Sequence, residues 1–115
     1  MSDTIFSKII KREIPADIVY ETDYILAFRD IRPQAPVHIL IIPKIEIPKI
    51  TDIDGNKHAQ LLGKLFDAAN MLAKEMKIDE DGFRLVLNCG INGGQDVYHL
   101  HMHLLGGRQM KWPPG

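Results

Sequence analysis

Apolar residues change their spacing from segment to segment along this chain, and the changes mark out a short run of elements. Between Thr4 and Arg12, Ile5, Phe6, Ile9 and Ile10 recur at helical spacing, with Asp3 or Thr4 placed to cap the helix and Pro15 to end the segment. β-Branched and alternating runs then predict strands at Asp17–Glu21, Tyr24–Arg29 and His38–Ile42, the last two separated by a loop carrying Pro33 and Pro36. Ile45-Glu46-Ile47-Pro48 reads as irregular chain or an edge, because Pro48 has no N–H to give a ladder. A longer helix is predicted from Gly55 to Met76, with Leu61, Leu65, Ala68, Leu72 and Met76 in one apolar stripe and Asp52 or Asp54 as its cap. Phe83–Asn88 and Val97–Leu105 supply a final antiparallel pair joined by a glycine-rich loop. The sum is an α+β fold: an antiparallel sheet of about five strands, with one short and one long helix to one side.

Size and charge narrow the function classes. A chain of 115 residues without repeat, low-complexity tract or linker makes one domain, long enough for a single core and small enough to profit from self-association. With 14 Lys+Arg against 15 Asp+Glu, no broad basic field argues for nucleic acid or an anionic membrane. Cys89 is the only cysteine, which excludes an intrachain disulfide and agrees with a reducing compartment. No basic-then-apolar leader is visible, and the most apolar stretch, Ile39-Leu40-Ile41-Ile42, is only strand length, so the expected location is the cytoplasm.

The chemistry is concentrated near the C-terminus, in Val97-Tyr98-His99-Leu100-His101-Met102-His103-Leu104-Leu105. A spacing of two is that of a strand, so His99, His101 and His103 face one way while Tyr98, Leu100, Met102 and Leu104 face the other. Strand rise separates neighbouring histidine Cα atoms by roughly 6.6 Å and the outer two by roughly 13 Å, so two rings can converge on one phosphate or ion and three cannot. Each imidazole changes charge near neutral pH and can attack, carry a proton or bind a metal. A solvated edge-strand face would ordinarily mix Thr, Ser, Lys and Glu; here three of the chain's five histidines stand in that row.

Gly90-Ile91-Asn92-Gly93-Gly94-Gln95-Asp96 runs directly into the row. Alone it reads as a hairpin loop, for which Asn-Gly is a strong signal. Beside the histidines it reads also as an anion nest: glycines allow positive φ and successive backbone N–H groups can cup a phosphate. A phosphate at the loop and a nucleophile on the strand suit phosphoryl or nucleotidyl transfer.

The string HLHMHLL fits the signature of the histidine triad superfamily, three histidines alternating with apolar residues. GGQDVYHLHMHLLGGRQMKWPPG, TIFSKIIKREIPADIVYE and LAFRDIRPQAPVHILIIPK, in that family's order and spacing, resemble its Hint branch, the histidine triad nucleotide-binding proteins, over nearly the whole chain. The resemblance implies one domain over residues 1–115, a purine nucleotide as substrate, and a nucleoside phosphoramidase working through a nucleotidyl-histidine on His101. It assigns His103 and the loop from Gly94 through Gln95 and Asp96 to Val97 to the phosphate, and gives His99 and His38 supporting roles. Asp30 is implied to accept from the ribose hydroxyls, with Phe6, Phe28 and Ile31 lining the purine pocket and Asn88 near the sugar and α-phosphate. No metal and no other cofactor is implied. A homodimer is implied, with the tail 106–115 at its interface and Trp112 near the partner's pocket.

Asp96 departs from the small hydroxyl residue of the animal members. A carboxylate only accepts and repels phosphate. The expectation is that its side chain points elsewhere and leaves the backbone N–H to the anion; receiving a proton from an amine leaving group is the alternative. Other readings stay open at this stage: a dinucleoside polyphosphate hydrolase, a nucleotide-responsive interaction protein, and a zinc-binding module built from a His-x-His pair with His38. A hexose-phosphate uridylyltransferase is disfavoured because that branch has glutamine where His103 stands.

Overall fold

The computed structural model describes residues 3–115. Its elements are α1 (Ile5–Ile10), β1 (Ile18–Glu21), β2 (Ile25–Arg29), β3 (Val37–Pro43), a 3-10 turn (Ile50–Asp52), α2 (Ala59–Glu75), β4 (Phe83–Val86) and β5 (Met102–Gly106). The strands form one antiparallel sheet in the order β1-β2-β3-β5-β4. Of the two expected caps for α1, Thr4 does the work, its hydroxyl accepting from the Ser7 N–H at 3.1 Å. The helix ends at Ile10, with Arg12 in the left-handed region, before Pro15 is reached.

Side-chain parity divides the core into two layers. Ile25 and Ala27 of β2, Ile39 and Ile41 of β3, and Met102 and Leu104 of β5 bury against Leu65, Ala68, Ala69, Leu72 and Ala73 of α2. The alanines let helix and sheet approach closely. Leu26, Phe28, Leu40 and Ile42 point the other way and pack with Phe6 and Ile9 of α1. The helices therefore sit on opposite faces, which corrects the expectation of both to one side: each brings an apolar face, and a fully buried central strand has two faces to cover.

Two boundaries also move. The long helix starts at Ala59 rather than Gly55, because the Asp54 carboxylate turns back to accept from the N–H groups of Asn56 and Lys57 and closes a separate turn. The last strand starts at Met102 rather than Val97, because its neighbours run out: the β3 ladder with β5 ends at Ile41–Met102 and that of β4 at Val86–His103. Leu100 N–H instead donates to the carbonyl of Ile47, at 2.6 Å, tying the histidine segment to the irregular stretch before Pro48.

Candidate active site

Only His103 lies within a ladder; His99 and His101 precede it on chain held by other means, and the alternation survives. Leu100, Met102 and Leu104 enter the α2 core while His99 and His101 turn toward Phe6 on the α1 face, the Phe6 and His101 rings meeting edge-on at 5.0 Å. On β3, His38 shares that face with Leu40, which pairs with His103 across the sheet. The result is a cluster of His38, His101 and His103, with ring centres 5.2 Å apart for His38 and His103 and 5.0 Å for His101 and His103. His99 stands apart, almost wholly buried, its Nε2 2.8 Å from the carbonyl of Pro43.

Partners fix the tautomers, an assignment that follows from which groups must donate. Pro43 O can only accept, so His99 carries its proton on Nε2. The carbonyl of His99 likewise accepts from His101 Nδ1 at 2.8 Å, which leaves the lone pair of His101 on Nε2. In the second pair the Gln34 N–H donates to His38 Nδ1 at 3.0 Å, so His38 holds its proton on Nε2 and gives it to His103 Nδ1 at 2.9 Å. His103 then presents Nε2–H as a donor. One ring offers a nucleophilic lone pair and its neighbour a hydrogen-bond donor, the combination needed to attack a phosphorus while holding one of its oxygens.

Burial favours the neutral form of three of these rings, His38, His99 and His103. It lowers His38 and His99 below the usual imidazole range, and together with repulsion from His101 and His38 it brings His103 down to about 4 from the ordinary 6.5. The folded chain leaves these imidazoles unprotonated where the unfolded chain would protonate them. Their contribution to stability is therefore fully present above about 6.5 and is lost as pH falls toward about 4. Urea midpoints should decline through that window, and His103→Gln should flatten the slope; equal slopes in both proteins would contradict the assignment.

Among the remaining candidates, Asp30 is half-buried just past β2, one oxygen accepting from Arg32 N–H at 2.8 Å and the other 3.4 Å from His38 Nε2. It caps its turn and faces the cluster at once. Phe6 and Phe28 are core residues stacked edge-on at 5.5 Å; Phe6 floors the histidines, and neither is an open pocket wall. Ile31, 88% exposed, is at most a rim. Asn88 is half-buried two residues beyond β4, whose Val86 pairs with His103.

The glycine loop differs most from its expected form. The Gly94 and Gln95 N–H groups donate inward to the carbonyls of Ile91 and Gly90, so neither is free for an anion. The Gln95 side chain is also spent within the protein: Oε1 accepts from Gly90 N–H, and Nε2 donates to the carbonyls of Pro48 and Val97. Within the expected cradle, Gly94 to Val97, the amides left without a protein partner among the described residues are those of Asp96 and Val97. Asp96 overturns the expectation that it points elsewhere: its Oδ1 lies 3.8 Å from His101 Nε2. Sequence reasoning missed the backbone groups of Gln34, Pro43, Ile47 and Pro48, which act through main-chain atoms that carry no residue signature.

Comparison with known proteins agrees with this geometry. Residues 11–110 match the model of the HIT domain. The chain belongs to the HIT family. A purine nucleoside phosphoramidase of Escherichia coli strain K12 is 57% identical over 108 residues, covering 94% of this chain and 90% of its own length. A 14 kDa zinc-binding protein of Brassica juncea is 55% identical, covering 98% of this chain and all of its own. The crystal structure of a HIT family hydrolase from Legionella pneumophila superposes with a TM-score of 0.96 at 53% identity, over 98% of this chain and 100% of that one. The HIT fold of this chain, two helices on a five-stranded antiparallel sheet, thus carries the histidine row in the setting of known hydrolases.

Proposed function

We propose that this chain is a purine nucleoside phosphoramidase. It hydrolyses the bond between the α-phosphate of AMP or GMP and an amine or acyl leaving group, with His101 as nucleophile. The observation that carries the reading is the 2.8 Å hydrogen bond between His101 Nδ1 and the carbonyl of His99, which leaves the lone pair on Nε2, the nitrogen 3.8 Å from the exposed Asp96 carboxylate. That lone pair forms an N–P bond as the bond to the leaving group breaks, an amine departing with a proton drawn from solvent and an acyl group departing as its carboxylate. Water then attacks the phosphorus, the N–P bond breaks, and a proton is returned, freeing nucleoside monophosphate and the imidazole. His103 Nε2–H and the amides of Asp96 and Val97 hold phosphate oxygens, and His38 keeps His103 in its donating tautomer. Asp30 has lone pairs left for the ribose hydroxyls, and Asn88 stands beside the sugar. The naming of the Escherichia coli relative supports this choice within the HIT hydrolases.

A zinc-dependent version has one observation in its favour: an Asp30 carboxylate oxygen, His38 Nε2 and His103 Nδ1 lie within 4.8 Å of one another. Those two nitrogens are 2.9 Å apart in a direct hydrogen bond, whereas two nitrogens on one tetrahedral zinc stand about 3.3 Å apart. The residues as arranged fit a shared proton rather than an ion.

We infer further that the working unit is a cytoplasmic homodimer of single HIT domains. No helix among the described residues is long and apolar enough to cross a membrane, and the lone Cys89 suits a reducing compartment. β4 is a sheet edge, Arg84 on it donates to the carbonyl of Lys111 at 2.9 Å, and beyond that anchor Trp112 is 83% exposed. An indole left so open at an unpaired edge suits burial against a second copy.

A panel of AMP derivatives differing only in the leaving group tests the reading. Phosphoramidates and acyl adenylates should be hydrolysed with AMP as common product and with rates indifferent to a chelator. Removal of residues 110–115 should change the leaving-group preference more than it lowers the melting temperature. Turnover confined to dinucleoside polyphosphates, or lost with metal removal and restored by zinc, would overturn it.

A further inference from the structure

Asp96 is an anionic group that the proposed reaction does not use. Its carboxylate oxygen stands 3.8 Å from His101 Nε2, the nitrogen that a phosphorus must approach, with the side chain 84% exposed. No N–H or O–H among the described residues holds it by a hydrogen bond. The backbone holds its position instead: the preceding Gln95 is buried and tied by three side-chain hydrogen bonds. A fixed negative charge at the mouth of an anion site weakens binding unless it distinguishes between anions.

We propose that Asp96 is a specificity-determining residue that sorts nucleotides by the charge on phosphorus. It tolerates the singly charged phosphate of a nucleotide blocked by a leaving group and repels the doubly charged phosphate of the free monophosphate, so that product is expelled. This inference rests on the nucleotide-hydrolase reading above.

The argument is electrostatic. A phosphate carrying a substituent has one ionisable oxygen, whereas a free phosphate monoester loses a second proton with a pKa near 6, so hydrolysis adds close to one negative charge at neutral pH. The donors in the site, His103 Nε2–H and the amides of Asp96 and Val97, are neutral groups and offer the extra charge no full counter-charge. Asp30, 3.4 Å from His38 Nε2 and beside the His38–His103 hydrogen bond, adds a second carboxylate to the same surroundings. One additional unit of charge a few ångströms from a carboxylate at a protein surface changes affinity on the order of tenfold. A serine or asparagine at position 96 would give no such discrimination.

Binding calorimetry at neutral pH with two unreactive ligands, AMP and its singly charged methyl ester formed on a phosphate oxygen, separates this effect from catalysis. In Asp96→Asn and in Asp96→Ser, AMP should tighten about tenfold more than the ester does, and high salt should shrink the difference. Asp79→Asn, which makes the same change in net charge beyond the far end of β4, should leave the ratio of the two affinities as it is in the native protein. An unchanged ratio in both Asp96 variants, with native protein binding both ligands, overturns the charge filter and leaves the hydrolase reading standing. Native protein that binds neither ligand overturns the nucleotide reading and this inference with it.

Discussion

His101→Ala should lower kcat toward AMP phosphoramidates by at least about a thousandfold while the protein stays folded and still binds AMP, because the change deletes the attacking atom and little of what holds the ligand. His101 is buried, packs edge-on to Phe6 and donates one hydrogen bond to the carbonyl of His99, so truncation leaves that carbonyl short of a partner at about 1 to 3 kcal/mol. The donors assigned to phosphate belong to His103, Asp96 and Val97 and survive the change. Steady-state kinetics, paired with AMP calorimetry and a thermal melt, checks all three parts. Near-native kcat in the variant removes His101 from the role of nucleophile; a fall in kcat matched by unfolding leaves the assignment without support, and His101→Gln, which restores polar bulk, then decides by the same kinetics in a folded protein.

Gln95→Ala should produce the second largest loss, and through a different route. This side chain touches no proposed substrate atom, yet it gathers Gly90 N–H and the carbonyls of Pro48 and Val97 around one buried amide. Truncation leaves those main-chain groups short of partners, at about 1 to 3 kcal/mol for a buried group left unpaired. It also frees the loop that aims the Asp96 and Val97 amides, so kcat/KM is expected to fall about a hundredfold, since a misplacement of about 1 Å can cost that much. Gln95→Glu should recover part of the loop through Oε1 while losing both Nε2 bonds, and so lie between the two. A fully stable, fully active Gln95→Ala would show that the loop is held by its backbone turns alone.

Much of this was legible in the residues, and the parts that were not share a cause. Periodicity is a local property, so it located α1, the stripe on α2 and the strands around Leu26, Leu40 and Leu104. The alternation of His-x-His-x-His gave the correct division between core and site even where no ladder forms, because Leu100 and Met102 must be buried whatever the hydrogen bonding. Which face α1 covers is set by where Phe6 and Ile9 find apolar partners after the sheet has formed, and no spacing within Ile5–Ile10 encodes that. The same holds for the loop. Gln95 looked like a phosphate contact because of its place in the motif; its inward turn depends on Pro48, 47 residues away in sequence. Asp96 could be flagged as unusual from the sequence, but the direction of its carboxylate depends on that same inward tie. The tautomers of His38 and His101 follow from the N–H of Gln34 and the carbonyl of His99, groups that every residue type carries and that no pattern of residues identifies.

The most direct test of the central claim is a rapid-quench experiment on native protein mixed with an AMP phosphoramidate labelled at phosphorus, quenched in base to preserve an N–P bond and mapped by peptide mass spectrometry. The account predicts a burst of leaving group with one nucleotidyl group on the peptide bearing residues 97–105, placed on His101 and absent from His101→Ala. Turnover without a burst and without label, or label on His99 or His103 in its place, would contradict it.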